Sequence, residues 1–560
     1  MPNLENLFDQ LDELKTTFGP TPAQQIEKLL RRISRSKVDD AQSLIRLHEL
    51  LLFIRAHPHN SSVRKIADAE LRAIPSRVAR LEQEVDVTPL GYPEVSGIAG
   101  TSVTDTFSYQ ILQWLRHRQP TRLSIYWEWF ENENRLAEIW PKFIPLLEED
   151  SLVEANVPYL DWLRDARGKR RELSWLLDRI DSLTRSDLEK AAMYNAQQLY
   201  VEWRFPYSDS RSGARLSVKE YFYHDASMIQ RRDVKLKEEL MKPAPKSRRL
   251  SDREGQTAID MARTASTVRY RELYGFTNGD PKSVVHVSIG RGVELFITTL
   301  PPDKRLPLRA YHAAMIYKNG VPIGYFEGLS LFERMESGFN LYYTFRDGET
   351  AWLYARILNV MRHHTGVTAF TLDPYQIGFE NEEGIASGAF WFYRKLGFRP
   401  TSPAIQELTE SEEAKIQSRK NYRTSASVLR RLAASPMILE LDESRRGDWD
   451  RFQLRNIGFA LQRLMAKRFS GDAGQMRDAA LANLTTCCGI RSLKNKADRL
   501  ADLASALLLI NDLSNWTDGD LKLLGKIVET KATADEARYL RLMQKHARLR
   551  EALIKLGSKP

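Results

Sequence analysis

One carboxylate near the middle of this 560-residue chain stands where proton transfer could occur. Glu327 lies on an apolar run just after a hairpin signal and shares its strand face with Tyr325 and Leu329. Partial burial there would raise its pKa and suit it to take a proton from an ammonium group; a solvated strand glutamate is the alternative. Glu380, Glu382 and Glu383 fall in the loop over residues 375–385 and could form an acidic mouth for a cationic amine. Arg346-Asp347-Gly348-Glu349 leads into a helix expected over 350–363. Free amides and the helix dipole favour an anion at such a start, and so do they favour a plain acid-capped first turn. The pair His363-His364 falls at the far end of that helix, where dipole complementarity favours imidazolium over metal binding. His48, His57 and His59 have no recognisable ligand spacing with nearby acids, so no metal is expected. The adjacent Cys487 and Cys488 make a poor disulfide and, alone, a poor zinc site; packing in a helix, in a reducing cytoplasmic compartment, is the expectation.

The elements that must hold these groups change texture along the chain. Residues 1–240 read as helices. The stretch 38–56 puts Leu44, Leu47, Leu51 and Ile54 on one face. A second pattern over 63–74 breaks at Pro75 with a short continuation over 76–85, and a third covers 107–117. The aromatic stretch 126–143, with Trp127, Trp129, Phe130 and Trp140, suits the seams between packed helices or, alternatively, a ligand pocket. Proline, serine and clustered base make 241–256 the expected linker. After a helical pattern over 257–273, short β-type runs continue to about residue 400. Lys318-Asn319-Gly320 between two apolar runs is a strong hairpin signal. Gly290-Arg291-Gly292 marks a bend too short for a phosphate loop. Residues 339–345 alternate, with Phe339, Leu341, Tyr343 and Phe345 on one face. A strand over 367–372, a helix over 387–396 closed by Gly397, and a strand from Phe398 follow. From 406 to 560 the pattern is helical, most clearly over 448–469, 494–513 and 534–556.

An antiparallel meander followed by strand, turn, helix, strand, helix and strand resembles the GNAT acyltransferase superfamily. The run Ala389-Phe390-Trp391-Phe392-Tyr393-Arg394-Lys395-Leu396-Gly397-Phe398 is similar to that family's last helix and following strand. The resemblance covers roughly residues 282–402 and implies an α+β multidomain chain: a GNAT-like mixed sheet over 257–405, flanked by all-α regions. It implies acyl transfer from acetyl-CoA or a longer acyl-CoA to a small-molecule or protein amine, with Glu327 as base and Tyr393 as the acid that protonates the departing thiolate. The family's diphosphate loop implies Tyr343, Phe345, Arg346, Gly348, Thr350 and Ala351 as cofactor contacts. Two departures stand out. Glu349 occupies the loop's central glycine position, with Gly348 one residue early. Ala386 stands where the family often has an asparagine. The second reading is therefore a non-catalytic GNAT-like module whose pocket binds a ligand or whose helical regions meet a protein partner.

Composition narrows the remaining classes. Charged residues at 28% and hydrophobic ones at 42% match a globular chain, with no window apolar enough to span a membrane and no secretory leader pattern. The net charge of +10 permits a nucleic-acid partner, and a variant drawing its acyl group from aminoacyl-tRNA would use it. Much of the base alternates with acid, as in Arg171-Glu172, which is the pattern of solvated helix faces. Nucleic acid is therefore not the expected partner.

Overall fold

The computed structural model describes residues 4–144, 159–488, 497–533 and 535–559. Two units emerge: one from Met1–Ser227, Ile259–Thr277 and Asn319–Pro322, the other from Met228–Ala258, Asn278–Lys318 and Ile323–Pro560.

The first unit opens with four helices, α1 (Leu4–Leu14), α2 (Pro20–Ile33), α3 (Ala41–Ala56) and α4 (Ser61–Leu81). The Asp40 carboxylate accepts the Ser43 amide at 2.8 Å and starts α3, whose predicted face is fully buried. α4 runs unbroken through Pro75, against the expected stop. A proline inside a helix costs about 3 kcal/mol, and the buried Leu71, Ile74, Val78 and Leu81 each return about 1.5–3 kcal/mol. Tertiary burial wins. After α5 (Tyr109–Arg118), three short strands correct the all-helical expectation for 1–240: β1 (Val103–Asp105), β2 (Leu123–Ile125) and β3 (Val201–Trp203), with β3 central and antiparallel to both. The aromatic stretch is built of short helical turns, Trp127–Trp129, Asn134–Ala137 and Trp140–Lys142, whose rings pack among helices as expected. Trp140 is fully buried and donates its indole N–H to Gln197 at 2.7 Å, with Trp127 and Tyr159 set edge-on to its ring.

The second unit is built on a nine-stranded sheet in the order β11-β12-β10-β9-β8-β7-β6-β5-β4. Its strands are β4 (Ser247–Arg249), β5 (Val285–Gly290), β6 (Val293–Thr298), β7 (Ala310–Lys318), β8 (Val321–Leu331), β9 (Arg334–Leu341), β10 (Ala369–Leu372), β11 (Arg399–Pro400) and β12 (Met437–Glu440). The expected linker 241–256 is therefore structured, since it supplies β4, antiparallel to β5. The β7–β8 turn follows prediction: Asn319 and Gly320 take φ of 49° and 79°, the left-handed values such a turn needs. β9 ends at Leu341, and Tyr343–Phe345 is a 3-10 turn rather than the continuation of a strand.

From that turn α6 (Thr350–Thr365) crosses to β10, and Gly366 at φ 83° closes it. β10 is parallel to β9, but it pairs only with Arg334–Glu336, so Ser337–Leu341 run on past their parallel partner. The predicted helix 387–396 is shorter, α7 (Ala389–Arg394), and Gly397 (φ 105°) turns the chain into β11. β11 does not meet β10. β12 lies between them, antiparallel to both, so the sheet extends past residue 405 and the stretch 406–560 is not purely helical.

The later helices are Leu454–Phe469, Ala473–Cys488, Ala497–Leu507 and Asp518–Thr533, then α8 (Glu536–Met543) and Ala547–Gly557. The pattern expected over 534–556 is thus two helices, and residues 494–496 and 534 lie outside the described set. Cys487 and Cys488 end a helix as free, half-buried thiols, and burial pushes Cys488 up to about 11. The described chain is α+β with one large mixed sheet. Among the described residues no helix is long and apolar enough to cross a membrane.

Candidate functional site

The β8–β9 register decides which face each candidate occupies. Glu327 stands opposite Gly338, while Phe326 stands opposite Phe339 and Gly328 opposite Ser337. Side chains alternate, so Ser337 and Phe339 point to one face and Glu327 to the other. The Ser337 and Tyr354 hydroxyls lie 2.9 Å apart, and the Phe339 and Tyr354 rings 5.2 Å apart, which puts α6 on the Ser337 face.

On the opposite face the Tyr311 hydroxyl donates to the Glu327 carboxylate. Burial raises the Glu327 pKa, and the tyrosine bond only partly opposes it. The partly buried carboxylate expected from sequence is what the fold provides. Gly338, across from it, presents no side chain. A Cβ built there would meet only Glu327 at 3.8–3.9 Å and the Gln376 amide at 4.0 Å, which are ordinary contacts. The result is a bare patch of strand bordered by Glu327, Tyr311 and Gln376. A base with a raised pKa over open backbone can accept a proton from an amine that docks there.

Tyr393 lies on the α6 side. It is 5% exposed, its ring packs edge-on to Tyr354 at 5.5 Å and to Phe398 at 5.9 Å, and burial drives its pKa upward. It is therefore held in its protonated form. Glu327 and Tyr393 occupy opposite faces of the sheet and form no direct pair. The overrun of β9 past β10 lies between them, because Ser337 and Phe339 border it on the Tyr354 side and Gly338 on the Glu327 side.

The turn before α6 departs from its sequence reading. Glu349 was expected to set negative charge where a diphosphate would lie. It is instead 6% exposed, and its carboxylate takes Arg291 Nε at 2.8 Å, Arg291 Nη2 at 2.6 Å and the Ile229 amide at 3.0 Å. Arg291, at φ 53° between two left-handed glycines, also offers its carbonyl to Lys318 Nζ at 2.6 Å. Lys318 is buried, and desolvation lowers it to about 7. Sequence reasoning passed over Arg291 and Lys318; the signal was the Gly-Arg-Gly bend, whose conformation aims that arginine.

The six cofactor candidates divide. Arg346 pairs with Glu383 and sits over the Tyr343 ring, while Tyr343 itself is 78% exposed. The Thr350 hydroxyl donates to the Arg346 carbonyl at 3.1 Å, and the Gly348 amide to the Phe345 carbonyl at 3.1 Å. Phe345 and Ala351 are buried and belong to the core, not to a ligand-facing surface.

The expected acidic mouth is largely neutralised: Glu382 holds Arg430 through two bonds of 2.8 Å, and Glu383 holds Arg346. At the other end of α6, burial lowers the His364 pKa, so it is neutral rather than the imidazolium expected. Arg541 supplies the positive charge there, donating to the His363 and His364 carbonyls at 2.9 Å each. Among the described residues no group of three or more His, Cys, Asp or Glu is placed to hold a metal. Comparison with protein-family models, with curated proteins and with solved structures found no match.

Proposed function

We propose that the sheet unit is an acyl-CoA-dependent N-acyltransferase of the GNAT type, acting on the primary amine of a small molecule or a protein. The observation that carries this reading is the overrun of β9. Ser337–Leu341 continue beyond β10 and lead directly into the turn that starts α6. A strand edge without a strand partner offers amides and carbonyls to an extended ligand that carries amide groups of its own, as the pantetheine arm of CoA does. The helix start beyond it favours phosphate. The turn fits such a donor better than its sequence suggests, because Arg291 neutralises Glu349 and turns it inward.

In the proposed reaction Glu327 takes one proton from the ammonium group of the acceptor. The freed amine attacks the thioester carbonyl, a C–N bond forms, the C–S bond breaks, the thiolate takes the Tyr393 proton, and the second nitrogen proton, made acidic by the new bond, restores the Tyr393 phenol. Acceptor and donor then approach from opposite faces and meet at the opening beside Gly338. The element order agrees with the resemblance: an antiparallel meander, a helix, and a strand parallel to the meander's last strand.

A non-catalytic GNAT-like binding module is the second reading, favoured by the short α7 and by Ala386. Titration calorimetry of the full chain with acetyl-CoA and with longer acyl-CoA separates the two. Saturable heat with turnover of an amine panel supports the enzyme, and no heat with any acyl-CoA removes it.

A further inference from the structure

At the C-terminal end of α6 the second unit holds a cavity of about 510 Å³. That lies within the range of small-molecule sites, about 300–1,000 Å³. Its wall is strongly basic. Arg249 from β4 and Arg538, Arg541 and Lys545 from in and just beyond α8 all line it, against one carboxylate, Asp535. Among the described residues none of these four cations is in an ion pair. Asp535 is occupied as the cap of α8, where it accepts the Arg538 amide at 2.7 Å. Arg541 and Arg249 each keep donors beyond the backbone carbonyls they already bond. Four like charges around one concavity repel one another, and an anion relieves that cost.

A second observation is independent of charge. Thr299 also lines the cavity, is 4% exposed, and its hydroxyl has no hydrogen-bond partner. Leaving such a group unpaired costs about 1–3 kcal/mol, and a turn of the Thr299 side chain toward a ligand oxygen in the cavity would satisfy it. The neutral His364 imidazole completes the polar wall.

We propose that this cavity binds a phosphorylated small molecule of about mononucleotide size. Arg538, Arg541 and Lys545 hold the phosphate, and the Thr299 hydroxyl donates to one of its oxygens. Guanidinium groups match phosphate geometry through paired N–H donors. The site is separate from the acyl-donor turn, since α6 has 16 residues and at 1.5 Å per residue its ends lie about 24 Å apart.

The test is titration calorimetry of the full chain with inorganic pyrophosphate at low ionic strength, with circular dichroism and thermal melting as fold controls. The wild-type chain is expected to give saturable heat. The double variant Arg538→Gln/Lys545→Gln should keep its fold and bind about tenfold or more weakly. Thr299→Val should weaken binding about threefold or more while the melting midpoint holds or rises, because it removes an unpaired buried hydroxyl. Parallel arms with adenosine 5′-diphosphate and fructose 1,6-bisphosphate identify the source of the phosphate, and tighter binding of either supports the site. No saturable heat from any of the three overturns the proposal, and so does a double variant that binds within about twofold of wild type.

Discussion

Arg291 grips Glu349 through two contacts, Nε to Oε2 at 2.8 Å and Nη2 to Oε1 at 2.6 Å, and the pair sits directly before the first residue of α6. The carboxylate is buried, also accepts the Ile229 amide and lies within the field of Lys318, and Arg291 is its ion-pair partner. Removing one partner of such a pair leaves an uncompensated charge in a low-dielectric setting.

Arg291→Ala is therefore expected to destabilise the second unit by about 3 kcal/mol in urea unfolding. The Arg291→Met/Glu349→Met double variant should cost clearly less than the two single changes summed. Additive losses would show that the two side chains are not coupled.

Lys318 gives a pH signature of known sign. Its folded value is about 7, below the usual lysine range, so between pH 7 and about 10 the unfolded chain binds more protons. Stability should rise with pH across that window, at up to about 1.4 kcal/mol per pH unit. Lys531, buried and lowered in the same sense, adds to the slope. Lys318→Met should flatten it between pH 7 and 9, as followed by urea midpoints. An unchanged slope would mean that Lys318 is charged in the fold.

Gly338 and Glu327 test the bare patch. Gly338→Leu adds a side chain whose Cβ makes only ordinary contacts and should keep the melting midpoint within about 2 °C, while acyl transfer is lost through blocked access. Glu327→Gln should slow transfer by about 100-fold or more. In the wild type the rate should climb with pH through a value above the ordinary carboxylate range, since the base must lose its proton first. The stability contribution has the opposite sign: the folded pKa is raised, so it is present below the unfolded value and lost as pH rises through the folded one.

Tyr393→Phe should lower the turnover rate by about 100-fold with acetyl-CoA affinity within about twofold, measured by steady-state kinetics beside calorimetry. Equal turnover would assign Tyr393 to packing against Tyr354 and Phe398 alone.

Local signals were legible in the sequence, and long-range ones were not. Asn319-Gly320 turns as its chemistry demands, and Asp40 starts α3 where the pattern begins. Pro75 misled because the cost of a broken hydrogen bond is local, whereas the burial that outweighs it is tertiary. Ser247-Arg248-Arg249 has no apolar residue to mark it as a strand, and Met437–Glu440 is too short to stand out between helical patterns. The alternation through Tyr343 and Phe345 continued past the true end of β9 because a period of two is not unique to strands.

The site shows the same division. The burial of Glu327 followed from its neighbours, but its partner did not. A regular ladder from a two-residue turn would set His312 opposite Glu327, yet Tyr311 makes the bond. The inward turn of Glu349 needed Arg291, 58 residues away, and no spacing rule connects them.

The position of β12 has a consequence for how the chain is made. Among the described residues β11 pairs with β12 alone, so residues 399–400 leave the ribosome before their strand partner has been made. The edge of β10 stays open until residue 440 has been synthesised, and only then does the late strand slot between two earlier ones. A fragment ending at 405 would carry that raw edge permanently and should be prone to edge-to-edge association. The helices that follow residue 440 therefore emerge onto a sheet that has only just closed.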